Sequence, residues 1–146
     1  MTSNSSSPAT TAAGAEPGAF RARRLTASLT VADLERSAAW YRDVVGFIIE
    51  KRHERAGKLV AASLRAGDVE ILLGQDDGAT GEDRVKGQGF SLQFTTDQSI
   101  DEIAARIRQG GGTIDTEPTD MPWGVRVFRF RDPDGFKLVM SSPPTA

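Results

Sequence analysis

The chain has 146 residues, 38% hydrophobic and 26% charged, with a net charge of −2; that is one domain by length, with apolar surface enough for a core. This balance leaves no electrostatic footprint for nucleic acid, and no apolar run approaches the ~20 residues needed to span a membrane. Cysteine is absent and His53 is the sole histidine, which removes disulfides, thiolate nucleophiles and cysteine-held metals and fits a cytoplasmic protein.

Residues 1–20 are rich in Ser, Thr, Ala, Gly and Pro and read as a disordered tail; they lack the basic and apolar regions of an export signal. Residues 21–146 then read as a single domain made of module one (21–74), a linker (75–88) and module two (89–142). In Leu25–Val31, Ala27, Leu29 and Val31 alternate with Thr26, Ser28 and Thr30, the pattern of a half-buried strand. Asp33 is placed to N-cap a helix that ends before Gly46. Leu34, Ala38, Tyr41 and Val45 form its apolar stripe, and Trp40 beside them reads as core. Strands are expected at Phe47–Lys51, Leu59–Leu64 and Val69–Leu73, with turns at Glu54–Gly57 and Ala66–Asp68. The polar, glycine-containing stretch Gln75–Gln88 reads as a hinge.

The second half repeats the first. Phe90–Thr95 alternates as a strand, Ser99 and Glu102 make a capping box ahead of Ile100, Ile103 and Ile107, and Gly110–Gly112 ends that helix. A short strand is expected at Thr113–Thr116. The last hairpin follows, Val125–Phe130 and Phe136–Met140 around Asp132-Pro133-Asp134-Gly135, a sequence with the chemistry of a tight turn. Gly46 matches Gly112, Arg65 matches Arg131 and Leu72 matches Val139, at spacings of 66, 66 and 67 residues. Two β-α-β-β-β modules in one chain account for that repeat, and the expected class is α+β.

Val31-Ala32-Asp33-Leu34-Glu35-Arg36-Ser37-Ala38-Ala39-Trp40-Tyr41, with Gly46-Phe47, resembles the opening signature of the vicinal-oxygen-chelate superfamily of glyoxalases, extradiol dioxygenases, fosfomycin-resistance enzymes and bleomycin-binding proteins. The final hairpin resembles that superfamily's last two strands. The resemblance covers about Leu25 to Ser141 and implies a curved mixed sheet forming a cup, with helices on the outer face. It also implies a divalent metal, held by the first and last strand of each module. Carried over by position, the ligands fall at Thr26, Leu72, Ser91 (Gly89 if the register slips by two) and Val139. Leu and Val cannot coordinate, and hydroxyls alone do not replace the imidazoles and carboxylates of such sites. No metal, cofactor or catalytic residue is therefore expected. Glu70 with His53 falls short of a coordination shell, and His53 reads as a solvated residue in a charged run.

The expected cup is lined by Thr26, Ser28, Glu70, Leu72, Ser91, Gln93, Lys137 and Val139, a mixture suited to a small organic ligand; Glu70 and Lys137 alternatively form an ion pair. Pro122-Trp123-Gly124 resembles the metal-free bleomycin-resistance branch, whose members bind planar or cationic antibiotics at a dimer interface. Trp123 then either stacks on a ligand or closes the core as a rim residue. Arg126 either meets an anionic group or is simply an exposed strand arginine. The leading expectation is a metal-independent, homodimeric binder of a small molecule, sequestering an antibiotic or other aromatic natural product. Two alternatives stay open: a lyase, isomerase or atypical-metal enzyme with Glu70 as its acid–base candidate, and a domain kept for protein association.

Overall fold

The first strand, β1 (Ala27–Val31), sends Leu29 and Val31 into the core and Ser28 and Thr30 to the opposite, exposed face. The structure, a computed structural model, describes residues 18–79, 81 and 85–144; the tail expected over 1–20 lies outside the described residues as far as residue 17, as do 80 and 82–84 of the expected linker. Asp33 caps α1 (Leu34–Trp40) by accepting the Arg36 N–H. The helix then widens into a π-helical turn, Tyr41–Val45, and stops at Gly46, whose φ of 110° suits only glycine. The amides of both Gly46 and Phe47 donate to the Tyr41 carbonyl, which is what widens the turn.

Three antiparallel-connected strands follow: β2 (Ile48–Arg55), β3 (Lys58–Ala66) and β4 (Val69–Gln75). The β2–β3 hairpin reaches further than expected because its turn narrows to Ala56 and Gly57, both at positive φ, so Arg55 pairs with Lys58. His53 is consequently inside β2, opposite Ala61, and exposed. The second module repeats the plan with β5 (Leu92–Thr95), α2 (Ile100–Gln109), β6 (Thr113–Asp120), β7 (Arg126–Arg131) and β8 (Lys137–Ser141). Ser99 caps α2 by accepting the Glu102 N–H. Strand β6 runs on to Asp120, because its far end pairs with Arg126 and Val127 of β7.

The strands form two four-stranded mixed sheets of identical order, β1-β4-β3-β2 and β5-β8-β7-β6. In each, the first strand runs parallel to the last, with Ser28 beside Leu72 in one and Gln93 beside Val139 in the other. The α+β class and the tandem β-α-β-β-β plan are thus both present, and the repeat read from Leu72 and Val139 is a repeat of register. Inward side chains of both sheets join α1 and α2 in one hydrophobic cluster that includes Leu29, Leu64, Ile71, Phe128, Phe130 and Leu138. Trp40 packs on this cluster, with its ring edge-on to Tyr41 and tilted over Phe130.

A buried polar network fastens the modules to one another. Tyr41 Oη donates to Asp132 Oδ2 at 2.8 Å, and Asp132 Oδ1 accepts the Asp134 and Phe136 amides. Asp134 in turn accepts from the Ala32 amide at 2.8 Å, where β1 leaves for α1. Lys86 lies between Asp76 (3.0 Å) and Asp134 (3.2 Å) with its side chain only 8% exposed. The stretch expected to be a hinge is therefore anchored at Lys86, and Gly87 lies against Phe136 so closely that a Cβ would fall 2.9 Å from that ring.

Candidate functional site

On β7 the stretch Phe128-Arg129-Phe130-Arg131 alternates, so Phe128 and Phe130 enter the core while Arg129 and Arg131 stand on the opposite face. Across the ladder Arg129 faces Val139 and Arg131 faces Lys137. On the other side β6 carries a bulge between Ile114 and Thr116, and such an extra residue re-aims a side chain. Asp115 sits in that bulge and accepts from Arg131 Nε at 2.8 Å. Together with Phe90 and Ser91, which precede β5, these residues line an open cavity of about 640 Å³. Val139, 4% exposed, lies on its floor and continues into a small apolar cluster with Val125, Val127 and Met121.

Of the ten residues expected at the site, Ser91, Lys137 and Val139 line this cavity, and Gln93 sits beside Val139 on the edge strand. Ser28, Glu70 and Leu72 stand on the first sheet, with Thr26 just ahead of its β1, and none of them lines the cavity. The Glu70–Lys137 ion pair is not formed: the two residues are on different sheets, and Glu70 instead pairs with Arg24 at 3.0 Å and Arg65 at 3.9 Å. Arg126 is engaged within the protein, its guanidinium donating to Asp101 and Asp120. Those hydrogen bonds, Asp101 first, push its pKa up, and the same contact holds the Asp101 carboxyl below the usual range. Trp123 is 66% exposed at the turn between β6 and β7, which the Gly124 N–H to Met121 carbonyl bond closes; it does not close the core.

Sequence reasoning missed Phe90, Arg129, Arg131 and Asp115 as cavity residues. The alternation of Arg and Phe along β7 already places both arginines on the solvent face. Asp115 depends on a bulge that no sequence period reveals.

A model of the Glyoxalase/Bleomycin resistance protein/Dioxygenase superfamily matches residues 23–140. The chain belongs to that superfamily. Among curated relatives, a probable lactoylglutathione lyase of Synechocystis is 29% identical over 116 residues, covering 75% of this chain and 87% of that protein. The lactoylglutathione lyase of Salmonella typhimurium is also 29% identical, over 122 residues, covering 80% and 89%. Among solved structures, TnmS3, an antibiotic binding protein from Streptomyces, superposes with a TM-score of 0.66 at 23% identity over 84% of this chain and 97% of its own.

The divalent metal that the superfamily resemblance implies does not fit the residues at the corresponding positions. Thr26 and Ser91 offer neutral hydroxyls, and Leu72 and Val139 offer no donor atom. Among the described residues, no group of three or more His, Cys, Asp or Glu side chains is gathered as a metal would require.

Proposed function

We propose that this superfamily member binds a small organic molecule without a metal and sequesters it, with the cavity on the β5-β8-β7-β6 sheet as its site. The observation that carries this reading is a cavity of about 640 Å³ built over Ser91 and Val139, the positions where the superfamily resemblance implies metal ligands. A volume of this order suits a drug-sized ligand, and a shared fold with an antibiotic binding protein is consistent with sequestration. Ser91, Lys137 and Val139 would touch the ligand, with Gln93 at the edge and Trp123 reaching over from the β6–β7 turn. Thr26, Ser28, Glu70 and Leu72 would then belong to a surface completed by a second copy. A homodimer would also cover the free edges of β1, β2, β5 and β6.

A second reading, a lyase, is favoured by the names of the relatives at 29% identity and opposed by the side chains at the four ligand positions. A thermal-shift screen of aromatic natural products, run with and without a strong chelator, separates the two. Ligands that raise the melting temperature equally in both conditions support sequestration. Lactoylglutathione lyase activity that appears on adding a divalent metal and disappears on chelation would overturn it.

A further inference from the structure

We propose that the cavity on the second sheet selects an organic anion, an oxyanion group beside an apolar body, and that Arg129 and Lys137 hold the charged group. This deepens the binding reading above and rests on it. The internal repeat supplies the comparison. In the first sheet Arg65 stands opposite Glu70, and it also meets Glu50, which sits in a bulge of β2 between Ile49 and Lys51. In the second sheet Arg131 takes the place of Arg65, and Asp115, in the matching bulge of β6, takes the place of Glu50. At the position of Glu70, however, the second sheet has Lys137. At the position of Ser63 it has Arg129.

The same backbone frame is thus balanced by carboxylates on one sheet and left with two surplus cations on the other. Among the described residues neither Arg129 nor Lys137 has an ion pair or side-chain hydrogen bond, whereas Arg52, Arg65 and Arg126 each have a carboxylate. Like charges directly opposed across a ladder, here Arg131 and Lys137, destabilise a sheet, and the single carboxylate Asp115 offsets only one of three cations. An anion between Arg129 and Lys137 would relieve that repulsion, and arginine's planar fork favours a two-oxygen acceptor. Phe90, 47% exposed and 6.2 Å from the Phe136 ring, gives the ligand's apolar part an aromatic wall.

The test uses two fluorescent probes of one aromatic shape, anilinonaphthalene sulfonate and its neutral counterpart phenylnaphthylamine, titrated into the full chain. The sulfonate should bind about 10-fold more tightly or better, the worth of one good charge contact. Lys137→Glu, which recreates the Arg65–Glu70 pattern and so should fold, removes that preference, bringing the sulfonate down to the affinity of the neutral probe or below. Arg129→Gln weakens the sulfonate alone, and Arg55→Gln, on the distant β2 hairpin, changes neither. Equal affinity for both probes, or an equal loss with Arg55→Gln, overturns anion selection while leaving small-molecule binding intact. Failure of both probes to bind removes the binding reading itself.

Discussion

Two tryptophans separate binding from stability at the scale of single residues. Trp123 is largely exposed on a turn, so Trp123→Ala should leave the melting temperature unchanged. If it reaches over the ligand, affinity for an aromatic ligand should fall roughly 2- to 30-fold, the worth of a stacking or cation–π contact. Trp40 packs on Tyr41 and Phe130, so Trp40→Ala should lower stability by about 3 kcal/mol through the cavity it leaves. Denaturant melts and ligand titrations on both variants check this; a destabilised Trp123→Ala would reverse the assignment. Lys86 is a third such residue. Replacing it by Met leaves Asp76 and Asp134 facing each other in a buried site, and breaking a buried ion pair in this way costs about 3–5 kcal/mol. An unfolding midpoint unchanged in Lys86→Met would show that the pair contributes little.

At the scale of elements, the turn after α2 is closely packed. A Cβ on Gly112 would stand 2.5 Å from Ile107 Cγ2 and 3.0 Å from the Ile107 carbonyl oxygen, with Val44 at 3.5 Å. Gly112→Ala should therefore destabilise by about 1–3 kcal/mol as an overpacking change, whereas Gly111→Ala, with open space around it but φ at +86°, should lose only about 1 kcal/mol, from backbone strain. Urea melts of both variants rank them. Most elements were legible in the sequence because alternation and capping are local signals: Asp33, Ser99, Gly46 and the Asp132–Gly135 turn all sit where their residue types demand. The π-helical turn was not, because it arises from two amides converging on the Tyr41 carbonyl. Nor were the lengths of β2 and β6, which are set by their partner strands. The candidate site was legible in part. Val139 and Ser91 were reached through the superfamily resemblance, but the charge of the site was not, because Glu70 and Lys137 at equivalent positions suggested a pair where the fold puts them on separate sheets.

The two modules are tied together by a shared hydrophobic cluster and a buried polar network, and the alkaline limit of the fold follows from that. Burial first, and then the Asp132 carboxylate, raise the pKa of Tyr41 well above its ordinary value of 10.0. A group whose folded pKa is raised contributes stability below its unfolded pKa and loses it as pH climbs toward the folded value. Stability should thus be intact below about pH 10 and decline above it. Tyr41 is the only tyrosine, so phenolate absorbance reports it directly. The absorbance should stay silent through pH 10 and rise only together with loss of secondary structure. Tyr41→Phe should remove that alkaline decline. At neutral pH it should cost about 1.5–3 kcal/mol, the range for a hydrogen bond to a charged acceptor. Burial, partly offset by the Tyr41 hydrogen bond, raises the Asp132 pKa; its contribution is likewise lost as pH rises, so Asp132 cannot be what drives acid unfolding.

On the proposed reading, ligand recognition belongs to the face of the second module's sheet that turns away from the helices. Backbone amide NMR during titration with anilinonaphthalene sulfonate tests it most directly. The predicted result is a contiguous set of shifts at Ser91, Arg129, Lys137 and Val139, saturating with the fluorescence. Shifts confined instead to the first sheet around Ser28, Glu70 and Leu72, or to the separate cleft lined by Gly46, Gly67, Thr96 and Gln98, would contradict it.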